Sequence, residues 1–251
     1  MSIILAMFIM GLLLGFVGAG GAGVVIAILT AVFGIPIHTA LGTSLGAMVF
    51  TTVSGTYSHF QEKNIAVKCG AAIGLFGALG AFIGAKIAGI LPSNDLKWLT
   101  AGMLFFSAIL LTIRMYYPQW IYSRAESPAA PEGSRFWFTA CGVGMVSGLL
   151  SGTFGIGGTP YIQIGLLTFF GMSVQLAAGT TMLVTLPIAL FGGIGYLVEG
   201  HLDWNLLINV VIGLMTGTYI GAKFTKRLKP AILKTTMIII PIIGGLLLLF
   251  G

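Results

Sequence analysis

Charged positions along this chain fall in short clusters, and the apolar stretches between them define its elements. The first ionised side chain is Glu62, so residues 1–61 carry no formal charge, and a second empty run of 63 residues extends from Phe136 to Val198. A helical span takes about 20 apolar residues, so each run must hold several helical segments. Shorter uncharged runs follow each long one, 69–85 and 98–113, then 204–222 and 235–251. Each suffices for one tilted or snorkelled helix. The pattern predicts helix A at about 3–17, a glycine-rich break at 18–23, B to about 34, C at about 38–60, D at about 66–87 and E at about 95–115. The same order recurs from about 136 to 250. Between the halves, Tyr117 to Ser134 carries Pro118, Pro128, Pro131, Gly133 and mixed charge, which reads as a solvated connector. The expected organisation is a first transmembrane repeat at 1–116, a connector at 117–134 and a second repeat at 135–251.

The halves are copies. At an offset of 137, Gly11-Leu12-Leu13 matches Gly148-Leu149-Leu150, Gly15 matches Gly152, Gly18 matches Gly155, and Gly20-Gly21 match Gly157-Gly158. Farther on, Phe33-Gly34 match Phe170-Gly171, Gly42-Thr43 match Gly179-Thr180, and Glu62 matches Glu199. The block Ile83-Gly84-Ala85-Lys86 recurs as Ile220-Gly221-Ala222-Lys223. One ungapped register across a whole unit is internal duplication.

Whether A and B are two short spans or a re-entrant hairpin, each half crosses the membrane an odd number of times, so the second is inserted upside down. With the N-terminus outside, Lys63, Lys68, Arg114, Arg124, Arg135, Lys223, Lys226, Arg227, Lys229 and Lys234 face the cytoplasm, leaving only Lys86 and Lys97 outside. Fusing A and B into one span divides the basic residues nearly evenly, a much poorer solution. The expectation is therefore an all-α polytopic membrane protein of two inverted repeats of about five helical segments each. Both termini lie outside, and the glycine-rich helices are broken or re-entrant.

Composition agrees: 57% of the 251 residues are hydrophobic and 7% charged, against about 25% charged in a soluble domain, and the mean hydropathy is +1.05. The solvent for most of the chain is the lipid bilayer. A net charge of +6 raises nucleic acid as a partner in a soluble chain, but here basic residues at helix ends serve orientation, and no nucleic acid is expected. Cys69 and Cys141 lie in apolar surroundings without CxxC spacing and read as packing residues, and the sequence calls for no metal or cofactor. The N-terminus lacks a positive n-region and cleavage site, so a retained first helix is expected.

Residues Gly18-Ala19-Gly20-Gly21-Ala22-Gly23 fit GxGxxG, yet no strand precedes them and no acidic residue follows about 20 positions on, which excludes a dinucleotide fingerprint. In a membrane, consecutive glycines break the helix and leave amides without partners, tolerated only beside protein or a water-filled cavity. In Gly155-Ile156-Gly157-Gly158-Thr159-Pro160 the grammar is clearer: Thr159 is placed to cap the next helix and Pro160 suits its first turn. Two such positive helix ends, related by inverted symmetry, form a concave anion site near the midplane. Close packing of small residues explains the glycines too, but not the Thr-Pro start.

Hydroxyls add donors: Thr43 and Ser44 in helix C, Thr180 and Thr181 in its copy, unless they bond their own backbone. Gln163, whose counterpart is Ile26, makes a one-sided contact. His38, opposite Gln175, reads as a cap or interface residue; Glu62 and Glu199 as solvated helix ends; Lys86 and Lys223 as snorkelling or mouth residues. No Asp or Glu lies deep in a predicted span, against a carboxylate proton relay. Ser147 and Ser151 lack a membrane-buried His at matching depth, against an intramembrane hydrolase. A non-transporting scaffold would not need glycine breaks at the same place in both halves.

GAGGAG and GIGGTP, each followed by an apolar helix and then GTS or GTT, together with the paired GAK blocks, resemble the TauE/SafE sulfite exporter family across nearly the whole chain. The resemblance implies a bacterial inner-membrane protein that moves sulfite or an organosulfonate outward. Its glycine motif falls on Gly18, Gly20, Gly21 and Gly23, and on Gly155, Gly157 and Gly158. This chain departs from the pattern at Pro160, where the first copy has Gly23, and at Ala22, where a third consecutive glycine is often seen. The expected function is a secondary transporter for a small anion, sulfite first, by alternating access; an exporter of a sulfonate such as sulfoacetate is the alternative. A homo-oligomer is compatible with the sequence.

Overall fold

The computed structural model describes residues 2–17, 22–116, 131, 133–225 and 230–251. Among them it places ten helices and no strand: α1 (Ser2–Val17), α2 (Ala22–Ala31), α3 (Ile37–Gln61), α4 (Val67–Ile90) and α5 (Ser93–Tyr116), then α6 (Gly133–Phe154), α7 (Thr159–Phe169), α8 (Val174–Val198), α9 (Trp204–Thr225) and α10 (Pro230–Phe250). Most of the connector and the basic residues Lys226, Arg227 and Lys229 lie outside the described residues. Five segments, Val67–Ile90, Ser93–Arg114, Gly133–Phe154, Val174–Val198 and Trp204–Gly221, are long and apolar enough to cross a membrane. The protein is an all-α, multi-pass membrane protein.

The helices keep the register of the duplication. α3 begins at 37 and α8 at 174 (37 + 137), α3 ends at 61 and α8 at 198, and the starts of α2, α4 and α5 recur at 159, 204 and 230. Small residues decide which helices meet, as they do where lipid offers no hydrophobic drive between spans. On α6, Gly144 lies against the Ile73 carbonyl, Gly148 against Gly77 and Gly152 against Ala81 of α4. In the related pair, Gly213 of α9 lies against Ile4 and Met7, and Gly217 against Phe8 and Gly11 of α1. The first helix of each half is thus sheathed by the fourth helix of the other. α3 and α8 cross antiparallel at the centre, with Gly55 beside Met182 and Gly193 beside Gly46, and α10 lays Gly245 on the Phe105 ring of α5.

In the second half, the helices that correspond to A and B meet at their outer ends. The Phe136 ring at the start of α6 meets the Phe170 ring at the end of α7, centroids 5.9 Å apart and nearly perpendicular. α7 has 11 residues, about 16 Å of helix, roughly half the hydrocarbon thickness. α6 and α7 therefore fold back on each other as a hairpin, with the end of α7 beside the start of α6.

At the opposite end of the molecule, the His38 ring donates through Nε2 to the carbonyls of Ala88 (3.0 Å) and Leu91 (3.2 Å), closing the C-terminus of α4. It also stacks on His201, centroids 4.8 Å apart. This is the cap and interface role expected of it. Glu62 and Glu199 follow the last residues of α3 and α8, Lys86 sits over the Phe82 ring, and both cysteines are free thiols.

Candidate anion site

The turn between α6 and α7 is shaped by three left-handed glycines, Gly155 (φ 65°), Gly157 (φ 77°) and Gly158 (φ 62°), a conformation that costs any residue with a Cβ. Close packing reinforces the requirement: Gly155 abuts Leu41 and Ile26, and Gly157 abuts the Met48 thioether. The turn therefore sits against α2 and α3, level with residues 41–48 of α3 and well inside the span. The Tyr196 hydroxyl, fully buried, fixes the approach by donating to the Gly152 and Thr153 carbonyls at 3.0 and 3.3 Å.

Residues 155–160 are all buried. Among the described residues, the amides of Ile156, Gly157, Gly158 and Thr159 find no hydrogen-bond acceptor. The hydroxyls of Thr159 and Ser151 are likewise buried without a partner, and Ser151 Cβ approaches Gly158 closely. Six unpartnered donors thus lie in or beside the turn that starts α7, where the helix dipole is positive. Thr159 is not the cap expected of it. Gly158 holds the cap position, because its left-handed backbone ends the turn one residue earlier, and Thr159 becomes the first helical residue with its hydroxyl unused.

The other predicted residues divide. Gly18, Gly20 and Gly21 lie outside the described residues. Gly23 is in α2, where it makes room for the Leu104 side chain. Ser44 donates to the Ala22 carbonyl at 3.1 Å, while Thr43 is buried with its hydroxyl unpaired. Thr180 accepts from the Ala66 amide at 3.0 Å, and Thr181 donates to Ala177 in its own turn at 2.7 Å. These last two hydroxyls are occupied and stand apart from the α7 start.

Gln163, buried one turn into α7, accepts from Arg114 Nη1 at 2.6 Å. Sequence reasoning read Arg114 only as an orienting residue at a helix end. What it could not supply was that α5 lies beside α7, which lets the guanidinium reach into the protein. Next to this pair a cavity of about 680 Å³ runs between α5, α6 and α7, walled by Phe106, Leu110, Phe138, Val146, Tyr161 and Phe169. Its apolar walls set it apart from the polar start of α7.

Comparison with known proteins agrees with the architecture. The family model described as sulfite exporter TauE/SafE matches residues 3–248. The chain is 51% identical over 251 residues, 100% of both chains, to "Probable membrane transporter protein YdhB" of Bacillus subtilis (strain 168). It is 26% identical over 254 aligned residues, 99% of both, to "Probable membrane transporter protein YjnA" of the same organism. With "Probable membrane transporter protein" of Xylella fastidiosa (strain 9a5c) it shares 27% over 223 residues, covering 87% of this chain and 82% of the relative. No solved structure matches. From the family model spanning both halves and full-length relatives named as transporters, it follows that the chain belongs to the sulfite exporter TauE/SafE family and is a membrane transporter of that type.

Proposed function

We propose that this transporter exports a small sulfur oxyanion, sulfite first, as a secondary carrier working by alternating access between its two inverted halves. One observation carries the reading: the buried, unpartnered donors at the start of α7, four amides with the Ser151 and Thr159 hydroxyls. Each buried donor left unmade costs about 1–3 kcal/mol, and a water molecule offers only two acceptor sites. An oxyanion offers several acceptors and a negative charge, which the helix end favours. Sulfite suits a cluster of neutral donors because they replace its hydration without burying a countercharge.

Unequal packing of the two related interfaces supports alternation. α4 lies along α8, with Gly70 at Leu183, Gly74 at Pro187 and Gly77 at Ile188. The related helix α9 meets α3 far less extensively, through Leu207 at Gly46. Exchanging the two arrangements exposes the site to the other side. With the basic cluster of Lys63, Lys68, Arg114 and Arg135 inside, both termini lie outside the bacterial inner membrane.

Counterflow into proteoliposomes tests the proposal. Vesicles loaded with sulfite are expected to exchange labelled sulfite through the protein, with sulfoacetate as competitor. Ser151→Ala and Thr159→Val are expected to reduce exchange roughly tenfold or more while keeping the wild-type melting midpoint, since neither hydroxyl bonds the protein. No exchange of any sulfur oxyanion overturns the assignment.

A further inference from the structure

We infer that the groove between α5, α6 and α7 holds one acyl chain of an anionic phospholipid from the leaflet at its Arg114–Arg135 end. Its walls are hydrocarbon, and several face outward: Phe138 is 79% exposed, Val146 61% and Phe106 47%. A cavity of about 680 Å³ so walled and open to the bilayer is filled by lipid, not by a hydrated anion. Its length fits one leaflet. From Phe138 to Leu150 along α6 is 12 residue steps, about 18 Å, against about 15 Å for half the hydrocarbon core.

The mouth of the groove is basic. Arg135 is exposed three residues before Phe138 and Lys68 stands over the Phe136 ring at 5.7 Å, while Arg114, one turn beyond Leu110, turns its guanidinium inward onto Gln163. Trp137, half-exposed beside Phe136, is the kind of ring that sits at the headgroup level. Apolar wall and cationic rim together match the two ends of a phospholipid with a negative headgroup.

The duplication provides an internal control. Gly142 and Gly165 form part of the groove wall, and a methyl group on Gly142 would touch nothing within 4 Å. Their counterparts 137 residues earlier are Leu5 and Ile28, and the counterpart of Arg114 is Gly251. In the first half α10 closes on α2, with Gly244 against Val24 and Gly251 against Ala31. The space and the Arg114 guanidinium beside it therefore occur together in one copy and are both missing from the other. That pairing is a property of a lipid site, not of the transport machinery the halves share.

The experiment is lipid retention by the purified full-length chain, measured by native mass spectrometry. In parallel, the melting midpoint is followed as delipidated protein takes up phosphatidylglycerol or phosphatidylcholine of matched chain length. Wild type is expected to retain phosphatidylglycerol and to rise in midpoint more with it than with phosphatidylcholine. Gly142→Phe, and the milder Gly142→Leu that copies the first half, plug the groove. Each is expected to lower retention about tenfold or more, the effect of excluding two methylenes. Arg135→Gln should keep a bound lipid but lose preference for the anionic headgroup, and Leu79→Phe, on an exposed face of α4 outside the groove, should behave as wild type. Wild-type retention by both Gly142 variants overturns the groove as the site, and equal response of wild type to the two lipids overturns the anionic headgroup. A variant that misfolds is recognised by its midpoint in lipid-free detergent, and the second plug then decides.

Discussion

Replacing Gly80 by alanine tests the seam on which the site is mounted. Gly80 lies where α4 crosses α6, and a methyl group there would stand 2.6 Å from the Met145 carbonyl oxygen, 2.9 Å from the Leu149 nitrogen and 3.2 Å from Met145 Cα. All three are backbone atoms that no rotamer change can move. Non-bonded carbon needs about 3.5 Å, so the helices must part by roughly 1 Å, and overpacking of this kind costs about 1–3 kcal/mol. Alanine's better helix propensity returns at most about 1 kcal/mol. Gly102→Ala on α5, where nothing lies within 4 Å, gains that same term without the clash, so propensity cancels between the two variants. Gly80→Ala is therefore expected to melt below Gly102→Ala by the packing cost alone, roughly 2–12 °C for a chain of this size. The buried thiol of Cys69 reports unfolding to a thiol-reactive fluorogenic dye during heating in detergent. Equal midpoints for the two variants refute the claim that the α4–α6 crossing is held by backbone proximity.

Three further outcomes follow from the contacts. Thr180→Val strands the Ala66 amide and is expected to cost about 1–3 kcal/mol in the same melting assay, whereas Thr181→Val, which loses only a bond within its own turn, costs less. Exchange of the two interfaces pairs Val211 with Phe50, since 74 + 137 is 211 and 187 − 137 is 50, mirroring Gly74 on Pro187. A Phe50→Cys/Val211→Cys disulfide, made with Cys69 and Cys141 replaced, is expected to form during turnover and arrest counterflow, and a cross-linked protein transporting at full rate refutes the exchange. Burial and the neighbouring His38 hold the His201 imidazole below its ordinary value, against the opposing pull of Glu199. The unfolded chain then takes up this proton near pH 6.5 and the folded one only at lower pH. The His201 contribution is thus full above about 6.5 and lost as pH falls through the folded value. His201→Gln should flatten that part of the stability-pH curve, and an unchanged slope rejects the assignment.

The helix order was legible because the duplication states it twice: a boundary blurred in one copy is sharpened by the other, and α3 and α8 share both ends at the same offset. The hairpin was not. α6 is as long and apolar as a span, and only the contact of Phe136 with Phe170 shows that α7 ends beside the start of α6. The glycine turn was found from composition, yet its cap was misassigned to Thr159, since the left-handed state of Gly158 depends on packing against α6. Thr180 and Thr181 repeat Thr43 and Ser44 in sequence, but a hydroxyl's partner is fixed by whichever backbone group faces it. For Thr180 that group is the Ala66 amide across the interface.

The sheathing of α1 by α9, and of α6 by α4, bears on how the protein is made. Synthesis runs at about 5–20 residues per second, so α1, complete at Val17, waits roughly 10 s or longer before Trp204 and the rest of α9 emerge. During that interval its Gly11 face has no mate from its own half. A polypeptide truncated before α9 consequently leaves α1 awaiting capture and is not a smaller carrier. The two halves, were they ever separate genes, would have been obliged to assemble as an interlocked pair from the outset.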